Sequence, residues 1–276
     1  MPTRPSTERS SQHSPTSPDN DWIDWVARAG LVAYGVVYLM IGWLAIQLAL
    51  GDREGSPSSS GAMKELAQQP FGSILIWVIS LGMFLLVIWQ GLEAAFGHRD
   101  EDGGKRIAKR LSSAGKAIIY AVIGISGIKV AIGSGSSGSK GQESFTAKLM
   151  NAPAGQVLVG IVALAIIGYG IYQIVQAWTE NFAKKLDGEG RSGKSGTAYI
   201  AFGKAGYAAR GVALSVVGGL FCYAAITHDP KKSGGLDQAL YEVLEKPFGP
   251  VLLCLIAIGL FCYGLFTLAR ARHLSR

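Results

Sequence analysis

The sequence predicts an all-α integral membrane protein with six transmembrane helices, arranged as three parallel-repeat helical hairpins. Charged residues make up only 16% of the chain, and they are distributed unevenly. Four runs carry no charge over at least 20 residues, namely 31–50, 71–92, 154–178 and 247–269. Because about 20 apolar residues cross the hydrocarbon core of a bilayer, each run is long enough to be a transmembrane helix.

A threefold internal repeat supports this fold class and adds two spans. Each copy contains an apolar span, a polar loop that ends in Pro-x-Gly, and a second apolar span. The second and third copies follow the first by 82 to 83 and by 176 to 177 residues. The repeat makes the shorter apolar runs 117–133 and 211–227 equivalent to the run 31–50, so we expect six spans. Because each copy has two spans, all three copies share one orientation.

The repeat also predicts how the chain is divided. A tail rich in Ser, Thr and Pro cannot bury an apolar core, so we expect it to be disordered and cytoplasmic. Apolar residues at spacings of three and four predict a short amphipathic helix in each outer loop, at 62–67, 145–150 and 236–244. The predicted parts are the tail 1–25, repeat 1 over 26–98 (spans 30–50 and 71–92), a basic linker 99–111, repeat 2 over 112–182 (spans 116–133 and 154–178), a Gly/Ser/Lys linker 183–202, and repeat 3 over 203–273 (spans 207–227 and 248–269).

The positive charges indicate a topology. Lys and Arg number 18 in the segments before the first apolar run, between the second and third, between the fourth and fifth, and after the last, against 8 in the three outer loops. Since Lys and Arg are enriched on the cytoplasmic side of membrane proteins, both termini are expected to be cytoplasmic. The net charge of +7 is therefore a feature of topology. We expect the lipid bilayer, and no nucleic acid, as the partner of the basic segments.

Small residues predict the helix-packing faces. In a bilayer no hydrophobic force drives helices together, and small side chains let two backbones approach closely. In the first spans they recur seven residues apart, which places both members of a pair on one helix face. The predicted packing positions are Gly35, Gly42, Ala117, Gly124, Gly211 and Gly218 in the first spans, and Gly82 and Gly259 in the second spans.

Basic and aromatic residues mark the predicted cytoplasmic ends of the spans. A basic residue opens each repeat, namely Arg28, Lys116 and Arg210, and we expect these side chains to reach the lipid headgroups. The second spans end in aromatic residues, which are Trp89, Tyr169, Tyr172, Tyr263 and Phe266. Rings at this depth usually form the interfacial aromatic belt. The alternative is an aromatic cage for a substrate.

Two sets of polar residues at equivalent repeat positions are candidate sites. Gln47, Lys129 and Tyr223 lie near the outer ends of the first spans. They either converge as a polar cluster on a central vestibule or face outward, with Lys129 reaching the headgroups. Glu93 and Arg270 lie at the ends of second spans. Because repeats 1 and 3 are neighbours in a closed bundle, these two form either a rim pair or two separately solvated charges.

The repeat resembles a family of bacterial membrane proteins. The resemblance is carried by Ala27-Arg-Ala-Gly, Tyr34-Gly-Val-Val-Tyr and Gly42 in the first copy, by Lys204-Ala-Gly, Arg210-Gly-Val and Gly218 in the third, and by the span ends Tyr169-Gly-Ile-Tyr and Tyr263-Gly-Leu-Phe. These motifs are similar to the domain of unknown function 1206, a two-helix unit commonly present three times. The similarity covers about residues 27–272, and the middle copy departs most. It implies a multi-pass protein of the bacterial plasma (inner) membrane without an assigned activity, so no catalytic residues carry over.

The sequence contains no motif for catalysis, a cofactor or a metal. Its leading interpretation is a non-enzymatic integral membrane protein with a structural or interaction role, whose partner would be another membrane protein or a second copy of the chain. The alternative is a transporter or channel with a pathway along the pseudo-threefold axis. A membrane-interior cavity lined by Gln, Tyr and Lys would favour transport. A bundle filled with Leu, Ile and Gly would favour the structural role.

Overall fold

The computed structural model describes residues 21–52, 54–96, 103–133, 146–150, 155–185 and 193–273. Regular structure within these ranges is helical. The main helices are α1 (Asp21–Ala49), α2 (Ser59–Gln68), α3 (Gly72–Phe96), α4 (Gly103–Ala131), α5 (Gly155–Thr179), α6 (Gly193–Thr227), α7 (Leu236–Leu244) and α8 (Gly249–Arg272). Residues 146–150 are also helical.

Six of the described helices are long and apolar enough to cross a membrane, and this confirms the predicted all-α class with six candidate spans. Their arrangement as three helical hairpins stays a prediction. They are α1, α3, α4, α5, α6 and α8, so the two shorter apolar runs are indeed parts of spans. Three of the six begin earlier than the apolar runs do. α1 begins at Asp21, so residues 21–25 of the predicted disordered tail are helical. α4 begins at Gly103 and α6 at Gly193, so each of these helices includes part of a predicted linker.

The spans pack side by side in the order α5, α6, α8, α1, α3, α4. The three contacts between repeats are equivalent, because each joins a second span to the first span of the next repeat: α3 with α4, α5 with α6, and α8 with α1. Within repeats 1 and 3 the two spans also pack against each other. Among the described residues, α4 and α5 of repeat 2 show no packing of comparable extent. We call the gap between α4 and α5 the seam.

The two faces of the bundle differ. We call the face where α1 begins and α8 ends the terminal face, and the opposite one the loop face. At the loop face α2 packs against α1, α3 and α4, whereas α7 packs against α6 and α8. Buried apolar side chains fill the bundle on this side, among them Leu44, Leu48, Met63, Ile76, Leu240 and Leu253.

The repeated Pro-x-Gly turn has a steric cause. Phe71 and Phe248 adopt the left-handed backbone conformation, with φ of 63° and 60°. This conformation sends the chain sharply from the loop helix into the next span. A Cβ on Gly72 would collide with the backbone carbonyl oxygen of Leu66, and one on Gly249 would collide with the backbone at the end of α7. Only glycine fits at the third position of this turn.

Some sequence predictions lie outside the described residues. These include the disordered tail over residues 1–20, parts of the two linkers (99–102 and 186–192) and most of the second outer loop (134–145 and 151–154). The amphipathic helices of the first and third outer loops are the observed α2 and α7.

Candidate functional site

A cavity of about 270 Å³ lies between the spans towards the terminal face. All six spans contribute residues to its lining. Glu93 comes from the last turn of α3, Lys109 from the first turns of α4 and Arg270 from the last turn of α8. These positions place the cavity in the half of the bundle nearest the termini.

Arg210 of α6 lines this cavity and is buried, with 7% of its surface exposed. Its Nη1 donates a hydrogen bond to the hydroxyl oxygen of Tyr263 at 2.6 Å. Its Nε has no hydrogen-bond partner among the described residues. No Asp or Glu of the described residues forms an ion pair with Arg210. The ion pairs in these ranges involve other residues. Among the described residues, the guanidinium is therefore a buried cation without a carboxylate counterion.

Four tyrosine rings surround the guanidinium. The distances from Cζ of Arg210 to the ring centroids are 4.8 Å for Tyr263, 5.3 Å for Tyr38, 5.9 Å for Tyr34 and 6.0 Å for Tyr169. All are within the range of cation–π attraction. The rings come from α1, α5 and α8, and we call them the tyrosine cage. They compensate part of the cost of burying the charge.

The repeat explains why these groups meet. Tyr34, Lys116 and Arg210 each stand directly before the first small packing residue of a first span, so they occupy equivalent positions in the three repeats. All three line the cavity. In the second spans, Tyr169 and Tyr263 are likewise equivalent and line it too. The cavity is thus the place where equivalent positions of the three repeats converge.

Two glutamines add polar groups to the lining. Gln90 of α3 and Gln173 of α5 are equivalent by repeat, buried, and part of the cavity wall. Oε1 of Gln90 and Nε2 of Gln173 have no hydrogen-bond partner among the described residues. Since a buried polar group without a partner costs about 1–3 kcal/mol, these atoms favour the entry of a ligand or water that satisfies them.

The lining carries an excess of positive charge. Lys109, Lys116, Arg210 and Arg270 face one acidic residue, Glu93. Within the described ranges, His, Cys, Asp and Glu form no group of three that could hold a metal ion. The polar groups of the lining are mainly cationic and hydroxyl donors, which are groups of the kind that pair with anions.

Comparison with known proteins identifies the repeat unit. Residues 29–97, 111–180 and 205–273 match the family described as Domain of Unknown Function (DUF1206). The chain belongs to this family. It is also similar to the uncharacterized protein YxxB of Bacillus subtilis (strain 168), with 29% identity over 250 residues that cover 90% of each chain. No solved structure matches. The family resemblance that the motifs predict is thus confirmed.

The expected headgroup contact is wrong for Arg210. Its helix continues back to Gly193, so this residue lies well inside α6 and not at its end. By repeat register the equivalents of Arg28 are Arg110 and Lys204. Arg28 is exposed, and Lys204 is an exposed partner of Glu180. We expect these exposed positions, rather than the buried Arg210, to lie near the lipid headgroups.

The aromatic residues at the ends of the second spans lie mainly inside the bundle. Trp89, Tyr169, Tyr172 and Tyr263 line the cavity, and Phe266 is buried in the core. Tyr172 is nevertheless 53% exposed, so the choice between a cage and an interfacial belt stays a prediction. Reasoning from sequence missed Tyr34, Tyr38 and the two glutamines as site residues, although the repeat register pairs Tyr34 with Lys116 and Arg210.

The outer polar residues occupy different environments. Lys129 and Tyr223 are exposed, whereas Gln47 is half-buried. Nζ of Lys232 lies 6.0 Å from the centroid of the Tyr223 ring. Convergence of these residues on an outer vestibule stays a prediction.

Glu93 and Arg270 line the same cavity, from α3 and α8 respectively. Repeats 1 and 3 are neighbours through the packing of α1 against α8. Nε of Arg270 has no hydrogen-bond partner among the described residues. Energetic coupling between the two charges stays a prediction, and it has a direct test.

The small residues singled out from the sequence lie mostly at helix contacts. A Cβ on Gly42 of α1 would come within 2.6 Å of the backbone nitrogen of Phe261 in α8. Ala117 is half-buried. At the remaining positions an added Cβ would lie nearest to an atom of another residue, which is Leu268 for Gly35, Ala33 for Gly82, Met83 for Gly124, Gly170 for Gly211, Ile167 for Gly218 and Ala209 for Gly259.

Proposed function

We propose that this protein is a non-enzymatic membrane carrier that binds an anion in the cavity near its terminal face. The observation that supports this most strongly is Arg210, a buried cation without a carboxylate partner in the described residues. Taking a charge out of water costs several kcal/mol unless other groups compensate for it. Tyrosine faces and one hydroxyl supply only part of that compensation, and a bound anion supplies the rest.

The remaining lining supports the same proposal. Lys116 and Arg270 add positive charge, and Gln90 and Gln173 offer polar atoms without partners. A cavity lined by Gln, Tyr and Lys is the feature that favours transport over a purely structural role. A purely structural protein would bear the cost of burying this charge without a ligand to offset it.

The loop-face half of the bundle argues for a carrier and against an open channel. Buried Leu, Ile and Met side chains fill it, including Leu44, Leu48 and Ile76. The described residues therefore show no continuous polar path through the loop-face half of the bundle. A carrier must alternate between such arrangements, whereas a channel needs a continuous polar path.

The distribution of Lys and Arg supports an orientation in which both termini are cytoplasmic. In that orientation the cavity lies on the cytoplasmic side of the bacterial plasma membrane, and α2 and α7 lie on the outer side. The protein would then take its ligand from the cytoplasmic side or release it there.

Binding of inorganic phosphate as a probe tests the proposal. The full chain is purified in a neutral detergent, and its unfolding temperature is measured with and without phosphate. A ligand that binds the folded protein raises this temperature, so wild-type protein should be stabilised. Arg210→Gln should abolish the stabilisation by phosphate.

Arg28→Gln is the matched control. It removes an exposed arginine from the same end of the bundle, and the response to phosphate should persist. Arg210→Lys keeps the charge without the forked donor geometry and should retain a weaker response. Equal responses from wild-type and Arg210→Gln protein would contradict the anion site, and the structural or interaction role would then be the better interpretation. Uptake of labelled phosphate into proteoliposomes extends the test from binding to transport.

A further inference from the structure

The seam between α4 and α5 lies beside the cavity, because both helices contribute residues to its lining. Every other neighbouring pair of spans packs extensively, but this pair does not within the described residues. In α4 and α5 only 22% of the most apolar stretch is buried, against 39% to 56% in the other four spans. The two helices that border the seam are thus the least enclosed of the six.

Partly exposed residues of both helices that border the seam line the cavity. Ile119 of α4 and Tyr172 of α5 both line the cavity, and they are 40% and 53% exposed. Further apolar side chains on the same helices are exposed, including Val122, Leu158 and Leu164. In a bilayer, such surfaces contact lipid acyl chains. The two helices that border the seam thus present apolar side chains to lipid and also contribute to the cationic cavity.

The size of the cavity limits what it can hold. Its volume of about 270 Å³ is just below the roughly 300–1,000 Å³ of pockets that bury a drug-sized ligand. A polar headgroup fits this space, but a complete lipid with its acyl chains does not. Any attached chain must leave through an opening with an apolar surface, and the seam has that character.

We propose that the ligand is an anionic glycerophospholipid, whose phosphate headgroup binds at Arg210 and whose acyl chains lie in the seam. This inference rests on the proposed anion site and names the class of its ligand. Charge complementarity supports the headgroup, because the lining holds Lys109, Lys116, Arg210 and Arg270 against Glu93 alone. The apolar, poorly packed seam supports the chains. A water-soluble anion would have no need of a side opening to lipid.

Two probes with the same charged group separate the possibilities. Dioleoyl phosphatidylglycerol carries acyl chains, and glycerol phosphate does not. The full chain in neutral detergent is titrated with each, and dioleoyl phosphatidylcholine serves as the lipid without net charge. We expect wild-type protein to bind phosphatidylglycerol at least about tenfold more tightly than either of the other two, a difference of about 1.4 kcal/mol or more.

Variants then test separately whether the phosphate headgroup binds at Arg210 and whether the acyl chains lie in the seam. Arg210→Gln should weaken phosphatidylglycerol about tenfold or more, and Lys116→Gln gives a second test at the repeat-equivalent position. Ile119→Trp partly fills the seam and should weaken the lipid while leaving glycerol phosphate unaffected. Ile118→Trp is its matched control, because Ile118 is 65% exposed and does not line the cavity; it should bind as wild type does.

Each other outcome has a definite meaning. If glycerol phosphate binds as tightly as phosphatidylglycerol, or if Ile119→Trp binds the lipid as wild type does, the lipid assignment is wrong and the anion site stands. If neither anionic probe binds, the proposed function fails together with this inference.

Discussion

Nη1 of Arg210 and the hydroxyl oxygen of Tyr263 form a 2.6 Å hydrogen bond between α6 and α8. Both residues are buried, and the Tyr263 ring is also the one nearest the guanidinium, at 4.8 Å from its centroid. One tyrosine thus offers the arginine both its oxygen and its ring face. Since a buried guanidinium needs acceptors in place of water, this contact orients the charge in the cavity wall.

Tyr263→Phe should destabilise the protein by about 1–3 kcal/mol, because it leaves the buried Nη1 group without its acceptor. The ring face remains in this variant, so the loss reports the hydrogen bond and not the cation–π contact. Unfolding in detergent, followed by temperature or denaturant, measures the difference. Tyr223→Phe is the control, since Tyr223 is 52% exposed and its variant should unfold as wild type does. Equal destabilisation by the two substitutions would show that the buried hydroxyl contributes no more to stability than the exposed one.

The six spans could be predicted from sequence because their signal is local. A run of 20 or more residues without charge has few alternatives to a membrane span. The repeat then identified the two weaker runs, including 117–133, which Lys129 interrupts. Neither argument needs any knowledge of which helices touch.

The cavity could not be predicted in the same way, because it depends on helix order and rotation. Arg210 stands directly before an apolar run, where a cation usually marks the membrane boundary. Its charge suggests that Arg210 is equivalent to Arg28. The repeat register instead makes Arg210 equivalent to Tyr34 and Lys116. The register shows that the three positions are equivalent. Only the packing of the spans shows that they face inward. The seam could not be predicted either, because the sequence of repeat 2 has the same two-span pattern as the other two repeats.

Gly42→Ala should destabilise the bundle by about 1–3 kcal/mol. The added Cβ would lie within 2.6–2.8 Å of backbone atoms of Phe261, so α1 and α8 would have to move apart. Gly168→Ala in α5 is the matched control, because nothing lies within 4 Å of its Cβ position. Thermal unfolding in detergent measures both variants. A smaller loss for Gly42→Ala than for Gly168→Ala would contradict the close approach of α1 and α8.

Glu93 and Arg270 should be energetically coupled, because both line the same small cavity. A double-mutant cycle with Glu93→Gln and Arg270→Gln separates the coupling free energy of the two charges from the effects of each residue's other contacts. We expect a coupling of about 0.5–1 kcal/mol, as is usual for charge pairs that retain access to water. Strict additivity of the two substitutions would mean that each charge is solvated separately.

The orientation of the bundle decides which compartment reaches the cavity, and reporter fusions determine it. Alkaline phosphatase is active only where its disulfides form, outside the cytoplasm. We expect a fusion after Ser58, in the first outer loop, to be active, and a fusion after Arg110, in α4, to be inactive. A fluorescent protein that requires the cytoplasm, fused at the same two positions, should give the opposite pattern and excludes differences in expression. The reverse result would place both termini and the cavity on the outer side. Arg210 would then meet anions or lipids of the outer leaflet, and the direction of the proposed carrier would change while its site stayed the same.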